Sequence, residues 1–61
     1  MSNRVVIERT ATDLYAIYIE DGDGQRVRSF GSVFEDTIRK ARITALMVSD
    51  ERGGITIKEK R

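Results

Sequence analysis

Leu14-Tyr15-Ala16-Ile17-Tyr18-Ile19-Glu20-Asp21-Gly22-Asp23-Gly24-Gln25-Arg26-Val27-Arg28-Ser29-Phe30 is the stretch that decides the fold. Its first seven residues are rich in aromatic and β-branched side chains, which fit a pleated, half-buried surface, so they predict a strand. Asp21-Gly22-Asp23-Gly24 then reads as a hairpin turn, because glycine supplies the positive φ that tight turns need. Gln25 to Phe30 follows as the returning strand. The protein therefore starts from an antiparallel pair.

Upstream, Arg4 to Arg9 carries Val5, Val6 and Ile7 without a breaker and predicts a further strand. Thr10 to Asp13 is the loop between them. Downstream, the period changes at Gly31. Ser32 followed by Glu35 has the form of a capping box, and Glu35 and Asp36 suit the positive end of a helix dipole. The spacing predicts a helix over Val33 to Ser49, with Glu35–Arg39 and Asp36–Lys40 as pairs four residues apart. Asp50 and Glu51 oppose the dipole at the far end. Gly53-Gly54 releases the chain into a last strand, Ile55 to Lys60.

The order is β-β-β-α-β, an α+β class domain covering residues 1–61. A crossover through the helix places the last strand beside the first, which gives one mostly antiparallel four-stranded sheet, order 3-2-1-4, with the helix on one face. Alternation turns Val5, Ile7, Tyr15, Ile17, Ile19, Val27, Ile55 and Ile57 toward the helix. Phe34, Ile38, Ala41, Ala45 and Val48 form the helix stripe that meets them.

Two surfaces are left over. The opposite sheet face carries Tyr18, Arg26, Arg28, Lys58 and Lys60 among Arg4, Val6, Ala16 and Thr56. Such a face suits phosphate contacts with a base stacked on Tyr18, or else a solvated surface of long side chains. Glu8 and Glu20 dilute the positive charge there. On the far side of the helix, Ile43, Leu46 and Met47 form a second apolar stripe. That stripe expects a partner or a second copy, unless the first strand or a loop folds over it. The edge of Gln25 to Phe30 is a further place for a partner's strand to add.

Composition narrows the function classes. The chain has 61 residues with no Cys, no His and no Pro, so neither a disulfide framework nor the usual zinc ligands are available to help a small core. A homodimer is one way to enlarge that core. Charged residues make up 34%, yet the net charge is only +1, short of the basic excess of a typical nucleic-acid binder. Bases gather at Arg39, Lys40 and Arg42 and at Lys58, Lys60 and Arg61, and eight of the eleven are Arg. Without Cys, and with no apolar leader at the start of the chain or span-length run, the expected location is the cytoplasm.

No catalytic motif groups the Asp, Glu, Lys, Ser and Thr residues, and the absent His removes the commonest general base. The acidic-glycine turn fails as a calcium loop, since its sixth position is Arg26 and its twelfth Ser32. Gly22-x-Gly24 precedes a strand, unlike a dinucleotide fingerprint, and Gly53-Gly54 lacks the Lys-Ser/Thr of a phosphate loop. The expectation is a non-enzymatic interaction module without cofactor, metal, membrane or small-molecule substrate. Its partner would be a protein or itself, with nucleic acid as the alternative and a structural subunit of a complex as the third.

Tyr15 to Glu20, Asp21 to Gly24 and Glu35 to Ala45 resemble the Tyr-containing strand, acidic-glycine turn and helix of HicB-type antitoxins, built on a truncated ribonuclease-H-like unit. Leu14 to Arg61 is also similar to small phage proteins that inhibit host RNA polymerase, whose first strand reads aromatic-Ala-x-β-branched and ends in Glu. Both resemblances imply a small regulatory protein that occupies a partner's surface, phage or mobile-element encoded in the second case.

Overall fold

The computed structural model describes residues 2–60; Arg61, one of the C-terminal bases, lies outside them. The elements are β1 (Arg4–Ala11), β2 (Leu14–Glu20), β3 (Val33–Glu35), α1 (Ile38–Glu51) and β4 (Thr56–Lys60). They form a four-stranded sheet in the order β3-β2-β1-β4, with α1 packed on one face. β1 pairs antiparallel with β2 and parallel with β4, so the expected crossover through the helix is present.

β1 runs to Ala11, two residues beyond the Arg9 end read from the sequence, so Thr10 and Ala11 belong to the strand and not to the loop. It then turns tightly into β2, with Ala11 opposite Leu14. Asp13 takes φ 57°, in the left-handed region that Asp tolerates better than most residues. The core lies between sheet and helix: Val5, Ile7, Ile17 and Ile19 from the two central strands meet Ala41, Ala45 and Val48. Tyr15, Val27, Phe30, Ile38, Ile55 and Ile57 close its margins.

The third strand lies elsewhere than the hairpin reading placed it. The turn forms as read: the Asp21 carboxylate accepts from the amides of Asp23 and Gln25 at 2.9 and 3.0 Å. Arg26 then bridges Glu20, and the Val27 amide donates to the Ile19 carbonyl at 2.8 Å. Continued pairing would bring Ser29 opposite Ile17. Instead Ile17 faces Val33, four residues later. Arg28 to Gly31 makes an outward excursion that tucks Phe30 against the core margin, where the Arg52 guanidinium lies 5.1 Å from its ring centre. Gly31, at φ 77°, lets the chain return to the sheet. The chain therefore occupies β2's edge in two pieces, and Gln25 to Phe30 is not a continuous strand available for a partner.

This shift also moves the helix start. Val33-Phe34-Glu35 takes the open slot beside β2, and a strand there satisfies its backbone along the sheet. The capping box of Ser32 and Glu35 is consequently not formed. Thr37 caps α1, with φ −131° and its hydroxyl accepting from the Lys40 amide at 3.2 Å. Phe34 pairs with Ala16, so alternation points it to the face away from α1, and it is 57% exposed instead of buried. Of the two expected helix pairs, Asp36–Lys40 is present at 3.2 Å, whereas Glu35 accepts from the Thr44 hydroxyl. At the other end, α1 continues to Glu51. The amides of Gly53 and Gly54 donate to the Asp50 and Ser49 carbonyls, and the Ser49 hydroxyl donates to the Ile55 carbonyl.

Thr37→Ala should therefore cost about 0.5–2 kcal/mol, the usual loss of an N-cap, while Ser32→Ala costs less than about 0.5 kcal/mol. Urea unfolding of both variants checks this; the reverse ranking would place the helix start at Ser32.

Candidate functional site

The face of the sheet away from α1 has no second layer, yet Val6, Ala16 and Tyr18 on it are 0%, 2% and 3% exposed. Long side chains cover them. Val6 pairs with Tyr18 on one side and Lys58 on the other, which fixes Tyr18 at the middle of the face. The Arg26 guanidinium lies 3.9 Å above the Tyr18 ring centre and approaches Glu8 at 3.6 Å. The Tyr18 hydroxyl donates to Glu8 at 2.9 Å and accepts from Lys60 at 3.4 Å.

Glu20 anchors the other end of this network. Its side chain is 4% exposed and accepts from Arg4 and Lys60, each at 2.8 Å. The hydrogen bond from Lys60, then that from Arg4, holds the carboxyl below its ordinary range, with burial opposing. Lys60 is raised above the ordinary lysine value, first by Glu20 and then by Tyr18.

Of the five residues read as a basic face, three are thus committed internally. Tyr18 is buried beneath Arg26, while Arg26 and Lys60 are held by Glu8 and Glu20. Arg28 and Lys58 are exposed, but they sit on opposite sides of the sheet, beside β2's outer edge and on β4. The structure does not gather the five into one free cationic surface. Alternation placed Glu8 and Glu20 on this face, but nothing in the sequence showed that they clamp it.

The outer face of α1 is different. Ile43, Leu46 and Met47 are 53%, 60% and 61% exposed, and they adjoin one another at the helical period. Neither β1 nor the loop after the helix covers them. Leu46 also borders a shallow groove with Ile7, Arg42, Ile57 and Glu59, where Arg42 holds Glu59 through a two-pronged contact at 2.8 and 3.1 Å.

A concavity of about 680 Å³, open to solvent, lies where β4 begins. It is lined by Ile19, Val27 and Ile55 with Ser2, Ser29 and Arg52 among others. Its charged group among these is Arg52, the residue over Phe30. Among the described residues no three acids converge as a metal site, and no helix is long and apolar enough to cross a membrane. Comparison with protein-family models, curated proteins and solved structures finds no match to this chain.

The Glu20 network predicts a stability plateau. Because Glu20 is lowered on folding, its contribution is complete above the ordinary carboxylate pKa and is lost as pH falls through the folded value. Lys60 is raised, so its contribution is complete below the ordinary lysine pKa and is lost as pH rises through its folded value. Urea midpoints should be flat between and fall on both sides. Glu20→Gln should lower the plateau and blunt the acid-side fall; equal midpoints for variant and parent across this range would remove the network from the stability of the fold.

Proposed function

We propose that this chain is a small, non-enzymatic interaction module that acts by binding a protein through the outer face of α1. The observation that carries this reading is the exposed, contiguous set Ile43, Leu46 and Met47. None of the three belongs to the core between α1 and the sheet, so more than half of each side chain is left in water in the isolated fold. A set of apolar side chains left in water on one helix face is the usual mark of an interaction site. A sequence free of His and Cys offers neither the commonest general base nor a thiolate, in keeping with a binding role. A Cys-free chain also suits a reducing compartment, and we place it in the cytoplasm.

The nucleic-acid reading has less support. Stacking a base on Tyr18 requires removing Arg26 from its ring and breaking contacts to Glu8, and the remaining cations Arg28 and Lys58 stand apart.

Ile43→Glu with Met47→Glu tests the reading. Both sites are exposed, so the stability of the fold should change by less than about 1 kcal/mol. The unaltered chain, immobilised, should retain a stoichiometric protein after nuclease treatment, and the double variant should not. Equal retention by both would dismiss this surface. Recovery of oligonucleotide instead, weakened steeply by salt and by Arg28→Ala with Lys58→Ala, would move the function to the sheet face.

A further inference from the structure

Resting on that reading of the α1 face, we infer that the protein seated there is a second copy of this chain, docked antiparallel. The argument lies in the charges that bracket the apolar stripe. Arg39, Ile43, Leu46 and Asp50 fall at i, i+4, i+7 and i+11, the spacing of a single seam along a helix that packs against another helix. The seam is apolar in the middle, basic at its N-terminal end and acidic at its C-terminal end.

It is also self-complementary. Across a two-fold axis passing between Thr44 and Ala45, Arg39 stands opposite the partner's Asp50, and Ile43 opposite the partner's Leu46. Met47 and Arg42 lie on the two opposite flanks of the seam, Met47 on the flank that also carries Lys40. A two-fold interface requires this reciprocity, in which residue i meets j and j meets i. The helix is in register with itself only when the copy runs the other way; a parallel copy brings Arg39 onto Arg39 and Asp50 onto Asp50.

An independent feature points the same way. α1 has no acid in its first turn and no base in its last, so Arg39 and Lys40 face the positive end of its dipole and Asp50 and Glu51 the negative end. Each such charge is mildly unfavourable in an isolated helix. Asp36 offsets Lys40, but Arg39, Asp50 and Glu51 have no ion pair among the described residues. In an antiparallel pair the two dipoles oppose, and Arg39 and Asp50 each meet an opposite charge.

The other surfaces fit a second copy less well. β3 is three residues long, and β4 exposes Lys58 near its middle, features that discourage strand addition. On the open sheet face Phe34 has Leu14 as its large exposed apolar neighbour, while Val33 points to the opposite face. A standard interface takes about 800 Å² per partner, about a fifth of this molecule's 4298 Å² surface. One 14-residue helix offers less, so the dimer forms and dissociates with concentration.

Sedimentation equilibrium from micromolar to millimolar protein, with circular dichroism for folding, tests the pairing. The unaltered chain should pass from monomer to dimer. Arg39→Glu or Asp50→Arg alone places like charges together at both ends and should weaken the dimer about tenfold or more. Each single change corrects a charge against the dipole, so the monomer should melt no lower than the parent, which separates lost dimer from lost fold. Arg39→Glu with Asp50→Arg should restore dimerisation. A chain that stays monomeric, single variants that dimerise like the parent, or a double variant without recovery would each overturn the pairing. A monomer that still loses a different protein on Ile43→Glu with Met47→Glu would overturn it while leaving the α1 surface as the binding site.

Discussion

Everything in this molecule depends on the close approach of one helix to two central strands through Ala41 and Ala45. Both are fully buried, and their methyl side chains let the α1 backbone settle onto Val5, Ile7, Ile17 and Ile19. Bulkier residues at these positions would lift the helix and open the core margins that Ile38, Ile55 and Ile57 only partly close. Such a chain has little apolar area to bury against the entropy of ordering, so an efficient helix–sheet contact is what makes the fold possible without disulfide or metal. The same contact consumes only one stripe of α1 and one face of the sheet.

The second sheet face is closed by a different means. With no layer to cover Val6, Ala16 and Tyr18, the chain folds the stems and head groups of Arg26 and Lys60 over them. Those cations are then fixed by Glu8 and Glu20, and Arg4 completes the neutralisation of Glu20. Arg26 reaches this place because the turn at Asp21 sets it opposite Glu20 before the chain leaves the sheet. A patch that looks cationic in sequence is thus mainly an internal clamp. Its Tyr–Glu–Lys contacts tie β1, β2 and β4 together on the side where no helix does so.

The legible part of the fold is the part governed by alternation and helical period. β1, β2 and β4, their order and their inward residues follow from side-chain spacing, and so do Ala41, Ala45 and Val48 on the inner stripe. Ile43, Leu46 and Met47 were equally legible, since the period that buries one set exposes the other. The third strand was not, because Ser32 to Glu35 suits a helix cap locally and its pairing with β2 is a tertiary event. Once Val33 to Glu35 enters the sheet, Thr37 becomes the cap available, and Phe34 changes face with it. Tyr18 was misjudged for a related reason: alternation gives the face of a residue but not what lies over it.

The two faces of the molecule differ in how their apolar atoms are protected. On the sheet, Arg26 and Lys60 over Tyr18 are each held by an acid, and Val6, Ala16 and Tyr18 beneath are out of water, while Phe34 and Leu14 toward the β3 edge stay exposed. On α1, Ile43, Leu46 and Met47 have no covering stems, and the nearby Arg39 and Asp50 are too far apart along the helix, about 16 Å at 1.5 Å per residue, to neutralise one another. Closing the α1 face by the same means as the sheet face would require opposite charges within reach of each other in one chain. They are arranged instead at the two ends of a single seam, where only another surface can bring them together. In the proposed antiparallel pairing the stripe and its flanking charges would gain contacts that they lack in the monomer.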